Sequence, residues 1–222
     1  MPLPKRAIAA SFLPDQYRYW YSLSKLAMDP LYEAVPGTFD GDSESLLDLG
    51  CGIGLLLHCL RAGGRKVPYI GVDTDAVKIA AARTAASRGG HADADFQVCD
   101  LSAQFPKHHG SVALLDVLQY LPQPAQGTLL SQAAQCVSAR GKLVIRTGLA
   151  DGTWRSAMTR ATDRFGHRIG WMKTSFKAQP SAQDMRATLQ RHGLQAEFKP
   201  LWGRTPFNNW LVIARRTQGA QG

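Results

Sequence analysis

The stretch LLDLGCGIG at residues 46–54 constrains this chain more than any other. Its leucines are typical of the end of a buried strand, and glycines follow at positions 50, 52 and 54. Glycine has no Cβ, so the chain can turn tightly there and a ligand can lie against the backbone. The spacing G-x-G-x-G differs from the G-x-G-x-x-G turn that holds a dinucleotide pyrophosphate. The turn therefore suits a nucleoside whose tail is an amino acid rather than a diphosphate.

Length and composition predict one domain with one substantial core. The chain has 222 residues, of which 45% are hydrophobic, and no apolar stretch approaches the roughly 20 residues of a membrane span. A short apolar piece near the start lies between Pro4 and Pro14 and does not match a signal peptide. The four cysteines form no C-x-x-C pair, so we expect reduced core residues of a cytoplasmic protein and no metal site.

The formal net charge of +9 is compatible with several kinds of binding partner. It would attract nucleic acid, an anionic membrane surface or an acidic carrier protein that bears the substrate. The alternative is a basic surface without such a partner. The basic residues are scattered rather than clustered, which weighs against a nucleic-acid site.

Hydrophobic periodicity predicts strands that alternate with helices, which is typical of a mostly parallel sheet covered on both faces. We predict five such strands, which end at residue 48 and cover 67–73, 95–100, 111–118 and 142–148. The predicted helices cover 17–34, 55–64, 75–89, 122–138 and 181–193. Two last strands, QAEFKPL and NWLVIAR, are joined by a short loop and should be antiparallel.

The glycine turn and the acid before it resemble the first motif of class I S-adenosylmethionine (SAM)-dependent methyltransferases, and the resemblance covers residues 46–147. It implies an α/β, Rossmann-like class I methyltransferase sheet, with five parallel strands, a C-terminal antiparallel hairpin and helices on both faces. It also implies SAM as the cofactor. We expect a single methyltransferase domain over 1–222. Its parts are an N-terminal helical cap (1–45), a cofactor-binding core (46–147), a lid insertion (148–180), a C-terminal helix and hairpin (181–216) and a disordered tail (217–222).

Acids at successive strand ends are the candidate cofactor residues, because ligands bind at the carboxyl ends of parallel strands. Asp48 would neutralise the methionine ammonium, and Asp73 would accept both ribose hydroxyls. The resemblance assigns Asp100 to the adenine amino group and Asp116 to the methionine and methyl group. Each acid has the alternative of a helix cap or a turn former. The full predicted set is Asp48, Gly50, Cys51, Gly52, Gly54, Asp73, Thr74, Asp100, Leu101, Asp116, Val117 and Lys25.

Lys25 belongs to this set on weaker grounds. It lies on the predicted N-terminal helix, where a cation would meet the cofactor carboxylate. The alternative is a solvated helix face, and the sequence favours neither.

The aromatic side chains indicate where an acceptor would bind. No tryptophan lies between residues 46 and 147; the five are Trp20, Trp154, Trp171, Trp202 and Trp210. Aromatic flanks around an aliphatic core suggest an apolar or ring-stacking pocket, although the rings have the alternative of packing the cap and lid onto the sheet. The predicted substrate residues are Tyr21, Trp171, Arg204, Asn208 and Asn209. The last three lie in the GRTPFNN loop, which is alternatively a simple hairpin turn.

Methyl transfer from a sulfonium depends mainly on alignment, and a base is needed only where the acceptor must lose a proton. Relatives that methylate phenols often have a histidine where this chain has Tyr120, in DVLQY. That base is absent, which puts ordinary phenol O-methylation in doubt. Tyr120 is a candidate to stack on or hydrogen-bond to the acceptor. His167 is the remaining base candidate, with a surface histidine as the alternative.

Signatures of other methyltransferase classes are missing: there is no NPPY or DPPY motif, no proline–cysteine nucleophile and no paired-glutamate loop. The flanks YSLSKLAMDPLYEA and PLWGRTPFNNWLVIARR resemble small bacterial methyltransferases of aryl polyene pigment clusters. The resemblance implies a small aromatic or acyl-linked acceptor. This acceptor is either free or bound to an acidic acyl carrier protein. The alternatives are an RNA methyltransferase and a non-catalytic SAM-binding protein.

Overall fold

Alternating strands and helices form an α/β fold in this computed structural model, which describes residues 3–41, 43–150, 177–203 and 208–217. The strands are β1 (Leu46–Leu49), β2 (Tyr69–Asp73), β3 (Ala94–Val98), β4 (Ser111–Leu115), β5 (Lys142–Gly148), β6 (Leu194–Pro200) and β7 (Asn209–Arg216). The helices are α1 (Lys5–Ala10), α2 (Gln16–Met28), α3 (Leu31–Thr38), α4 (Leu55–Ala62), α5 (Ala76–Arg88), α6 (Gln123–Gln135) and α7 (Ala182–Arg191).

The strands form one sheet in the order β3-β2-β1-β4-β5-β7-β6. The first five pair in parallel, while β7 is antiparallel to both β5 and β6. The prediction of five parallel strands and a C-terminal antiparallel pair is therefore confirmed. Along β1, Leu47 and Leu49 join the core cluster on the α6 and α7 face, and Leu46 joins the cluster under α3 and α4.

The N-terminal region differs from its prediction. Instead of one helix over 17–34, the chain forms α2 and α3, with a break at Asp29 and Pro30. Proline disfavours helical backbone in the residue before it, and Asp29 has an extended conformation with φ −92° and ψ 115°. The break places α3 as a separate helix beside α4.

The fourth strand is shorter than predicted. It ends at Leu115 rather than at residue 118, because Asp116 has a left-handed conformation with φ +59°. A short 3-10 turn follows over Leu118–Tyr120. The reversal brings the chain back toward the glycine turn.

The topology places the carboxyl ends of β1 and β4 beside each other at the point where the strand order reverses, which is where open α/β sheets bind ligands. The start of β7 also lies at this edge, since Asn209 pairs with Gly148 at the end of β5. Among the described residues, no helix has the length and apolar character needed to cross a membrane.

Candidate functional site

The glycine turn is held against the end of β2. The backbone N–H groups of Gly50 and Cys51 donate to the Val72 carbonyl at 2.8 and 2.9 Å. Gly50 has φ +77°, and a Cβ there would overlap a methyl group of Val117. Gly52 also has positive φ, +57°, but nothing in the structure lies within 4 Å of a Cβ built on it. The first glycine therefore serves internal packing, whereas the second leaves open space beside the backbone.

Gly54 completes the turn and precedes α4. It has φ +77°, and its N–H donates to the Cys51 carbonyl at 3.0 Å. The Phe96 ring fills the space that a side chain at this position would need. The third glycine therefore allows the turn to pack against Phe96 of β3 rather than against a ligand.

Asp48 is a buried carboxylate, with only 2% of the residue exposed. The Tyr69 hydroxyl donates to its Oδ2. Burial raises the pKa of Asp48 to about 7; the Tyr69 hydrogen bond opposes this shift and the Asp73 carboxylate adds to it. In the described part of the chain, Asp48 has no cationic partner within ion-pair distance.

Asp73 lies at the end of β2 and is partly exposed. Its Oδ2 accepts from the Gly52 N–H at 3.0 Å and its Oδ1 from the Asp75 N–H at 2.9 Å. A carboxylate oxygen can accept more than one hydrogen bond, so both oxygens can also bind hydroxyls. Thr74 is exposed, and the cap of α5 is Asp75, which accepts from Val77 N–H.

Asp100 and Leu101 follow β3 at the same edge. Asp100 is exposed, and its Oδ1 accepts from the backbone N–H and the hydroxyl of Ser102 at 2.9 and 2.7 Å. These hydrogen bonds lower the pKa of Asp100. Leu101 is partly buried against the core, so the pair presents a polar group beside an apolar one.

A small cavity of about 60 Å³ lies between the glycine turn, β4 and α3. Its lining comprises Leu31, Tyr32, Asp48, Gly50, Cys51, Leu55, Leu56, Leu115 and Asp116. Four of the predicted cofactor residues therefore meet here. Two lining residues from α3, Leu31 and Tyr32, are not among the predicted site residues, because the sequence pattern predicts this segment as the end of a longer helix.

Beside the cavity lies a charge network that the sequence reasoning missed in part. The Arg146 guanidinium pairs through Nη1 with Asp116 and through Nη2 with Asp29, at 3.3 Å for the latter. Asp29 also pairs with Lys25 Nζ at 3.3 Å. Burial would lower the pKa of Lys25, but Asp116 and Asp29 outweigh it and raise that pKa. The one sequence signal for Arg146 is a charge that directly follows the apolar run LVI inside the strand KLVIRTG.

A family model described as a methyltransferase domain matches residues 19–197. The chain belongs to this methyltransferase family. The predicted membership in the SAM-dependent methyltransferases, and the predicted enzyme class and cofactor, are thereby confirmed.

Similar proteins agree with this membership. A ubiquinone biosynthesis O-methyltransferase of Sodalis glossinidius (strain morsitans) is 28% identical over 145 residues, which are 64% of this chain and 55% of the relative. One of Xylella fastidiosa (strain 9a5c) is 27% identical over 128 residues, 57% of this chain and 49% of the relative. The chain spans about half the length of these curated relatives.

Solved structures show the same fold. The magnesium protoporphyrin IX methyltransferase of Synechocystis PCC 6803 with bound SAH has a TM-score of 0.64 and 21% identity, and the match covers 84% of this chain and 82% of that one. An O-methyltransferase family protein from Burkholderia thailandensis has a TM-score of 0.70 and 19% identity, with 94% and 62% covered.

The residues of this methyltransferase fit SAM in their chemistry. The open space at Gly52 admits a ligand against the backbone, and Asp48 is a buried carboxylate without a described cation, suited to a positively charged group. The carboxylate oxygens of Asp73 suit a diol.

The predicted acceptor residues differ in their location and in their exposure to solvent. Tyr21 lies on α2 and is 42% exposed. Tyr120 ends the 3-10 turn and is partly buried; its N–H donates to the Val117 carbonyl at 3.0 Å. His167, Trp171 and Arg204 lie outside the described residues.

The two predicted asparagines of the β6–β7 loop are buried. Asn208 Nδ2 donates to the Leu149 carbonyl at 2.9 Å, and its Oδ1 accepts from Trp210 Nε1 at 3.1 Å. The Asn209 carbonyl accepts from Leu201 N–H at 2.8 Å. These bonds tie the end of β5 to the start of β7, and acceptor binding by either asparagine stays a prediction.

Proposed function

We propose that this protein transfers the methyl group of SAM to a small-molecule acceptor. The observation that carries the proposal is the cavity at the carboxyl ends of β1 and β4, where the buried Asp48 carboxylate, the glycine turn and Asp116 meet. In this proposal Asp48 binds the methionine ammonium and Asp73 the ribose hydroxyls. Asp100 and Leu101 bind the adenine, and Lys25 binds the donor carboxylate.

Alignment of the acceptor is the main task of the chain in this chemistry. When bound, SAM supplies a methyl group on a sulfonium, whose leaving group is a neutral thioether. The backbone at Asp116 and Val117 would lie beside that methyl group. No charged leaving group needs stabilisation, so proximity provides most of the rate enhancement.

An aromatic or acyl-linked acceptor is favoured by the side chains near the cavity. Tyr32 lines it, and Tyr21 is close enough to Lys25 and Asp116 for both to influence the Tyr21 pKa, which burial raises. The curated relatives are named as O-methyltransferases of ubiquinone biosynthesis, which supports oxygen as the methylated atom. Because Tyr120 stands where phenol-methylating relatives often have a histidine base, the proposal then requires an oxygen that is already ionised when the acceptor binds. An aryl polyene-type acceptor, free or on an acidic carrier protein, is the finer form of the proposal.

The test is methyl transfer from radiolabelled SAM to a panel of substituted phenols, to aromatic acyl groups on an acyl carrier protein, and to RNA. We expect label in the phenols or the acyl groups and none in RNA. Asp73→Asn should lose this activity, while Asp93→Asn, which removes a carboxylate at the opposite side of the domain, should keep it. Label in RNA alone would contradict the small-molecule acceptor, and SAM binding without any transfer would indicate a non-catalytic protein.

A further inference from the structure

A single buried arginine connects two sides of the donor cavity. Arg146 lies on β5 and is only 6% exposed. Its two terminal nitrogens pair with carboxylates on different elements: Asp116 after β4 and Asp29 before α3. Arg146 does not itself line the cavity. Its contacts can therefore affect the shape of the cavity only through elements such as those that carry these two acids.

The first acid, Asp116, forms one wall of the cavity in an uncommon backbone conformation. Its φ of +59° is the only positive value at a non-glycine residue in the described ranges. Its N–H donates to the Arg146 carbonyl at 2.8 Å, and its carboxylate receives Nη1 of the same arginine. Arg146 thus holds both the backbone and the side chain of Asp116, and Val117, which packs on Gly50, follows directly.

The second acid, Asp29, sets the start of α3, which forms the opposite wall. Its Oδ1 accepts from the Leu31 N–H at 3.1 Å and from Arg146 Nη2 at 3.3 Å. Leu31 and Tyr32 then line the cavity. The orientation of the first turn of α3 therefore depends on the carboxylate that Arg146 binds.

We propose that Arg146 is a positioning residue that fixes the spacing of the two cavity walls and so sets donor affinity and methyl-transfer geometry. A guanidinium is planar and has several N–H groups directed to different sides, so it can bind two carboxylates at once. A lysine at this position has one ammonium on a flexible chain and cannot reproduce both contacts in the same geometry. The inference rests on the proposed function only through SAM binding, and no acceptor is required to test it.

The experiment compares Arg146→Lys and Asp29→Asn with the wild-type protein. Both substitutions retain a polar group: lysine keeps the positive charge, and asparagine keeps an oxygen that can accept from Leu31 N–H. SAM affinity is measured by calorimetry, and folding is checked by thermal unfolding. We expect Arg146→Lys to weaken SAM binding about tenfold and Asp29→Asn by a smaller factor, the scale for losing a hydrogen bond to a charged group.

Asp93→Asn is the matched control. It breaks the pair between Asp93 and Arg61, whose side chain is as buried as that of Arg146 but lies away from the cavity. We expect its SAM affinity within about twofold of wild type, since neither Asp93 nor Arg61 lines the cavity. The double variant Arg146→Lys/Asp29→Asn should weaken SAM binding by a factor smaller than the product of the two single factors, because both substitutions remove the same ion pair between residues 146 and 29.

The following outcomes decide between the proposal and its alternatives. A folded Arg146→Lys variant with wild-type SAM affinity, or single effects that simply multiply, would overturn the positioning role. Where an acceptor is identified, a fall in kcat with little change in the acceptor KM supports the role, and the reverse contradicts it. Failure of the wild-type protein to bind SAM would instead refute the proposed function.

Discussion

Replacing Asp48 with asparagine should stabilise the empty protein at neutral and alkaline pH and should weaken its affinity for SAM. Burial raises the pKa of Asp48 to about 7, from an ordinary value of 3.8. That difference corresponds to about 4 kcal/mol of destabilisation when the carboxylate is ionised in the folded state. Asparagine has nearly the same shape and can still accept the Tyr69 hydroxyl, but it has no charge to bury.

The sign follows from proton binding in the two states. Below pH 3.8 both states hold the proton, and Asp48 has no effect on stability. Between pH 3.8 and 7 the unfolded state has lost the proton while the folded state keeps it, so stability falls as pH rises. Above pH 7 the full destabilisation persists. The advantage of Asp48→Asn should therefore grow from near zero at pH 4 to its maximum near pH 8.

Urea unfolding of both proteins from pH 4 to pH 9 measures this difference. Asp100→Asn is the control, because Asp100 is exposed and hydrogen bonds from Ser102 lower its pKa, so its contribution has the opposite sign. Calorimetry at pH 8 should find SAM binding weaker in Asp48→Asn by about 1–3 kcal/mol, the scale for a hydrogen bond to a charged group. A stability difference that does not change with pH, or a variant that is less stable at pH 8, would refute the reasoning.

Three further predictions concern single positions. His58 is buried, and burial together with His91 lowers its pKa to about 4; its contribution to stability should fall as pH drops from 6.5 toward 4. Urea unfolding of His58→Leu should show a smaller slope than wild type, with the remainder due to His91 and His108, whose pKa values burial also lowers. Asp73→Ala should weaken SAM binding by about 1–3 kcal/mol, and unchanged affinity by calorimetry in the folded variant would exclude the ribose assignment. Gly50→Ala should reduce thermal stability strongly because its Cβ meets a valine methyl at a position with positive φ. Gly52→Ala has open space and only the strain of its positive φ, so it should lose less thermal stability and should also reduce SAM affinity; equal thermal losses would contradict this distinction.

The donor side of the site was predictable because short-range patterns encode it. The apolar run that ends at Asp48, the glycines at 50 and 52, and Asp73 at the end of the next strand each have a local signature. Parallel strand order then brings them to one edge, and the structure has them around the same turn. Local pattern and topology agree at these positions, so the prediction needed no knowledge of long-range contacts.

The packing of α3 as a wall of the cavity could not be predicted in the same way. The break before α3 has a local signal, since Pro30 disfavours helical backbone at Asp29, but no local signal shows where α3 packs. The pairs of Arg146 with Asp29 and Asp116 join residues 117 and 30 positions apart. No periodicity or spacing rule connects such residues, since their proximity results from the packing of the cap onto the sheet. The left-handed conformation of Asp116 has the same origin: an aspartate tolerates it, but the sequence does not require it.

The two carboxylates of the donor cavity differ in how their charge is compensated, and this difference indicates what each one does. Asp116 is paired with a buried arginine, so its charge is neutralised within the protein and the residue can serve as a wall. Among the described residues Asp48 receives a hydrogen bond from the Tyr69 hydroxyl and has no ion-pair partner, and burial raises its pKa. A fold selected for stability alone would have an asparagine or an apolar residue at position 48. The cost of burying the ionised carboxylate is removed either by a proton or by a cation. Above pH 7 only a cation does this, so the cavity is suited to a ligand that brings its own positive charge, as the ammonium of SAM does.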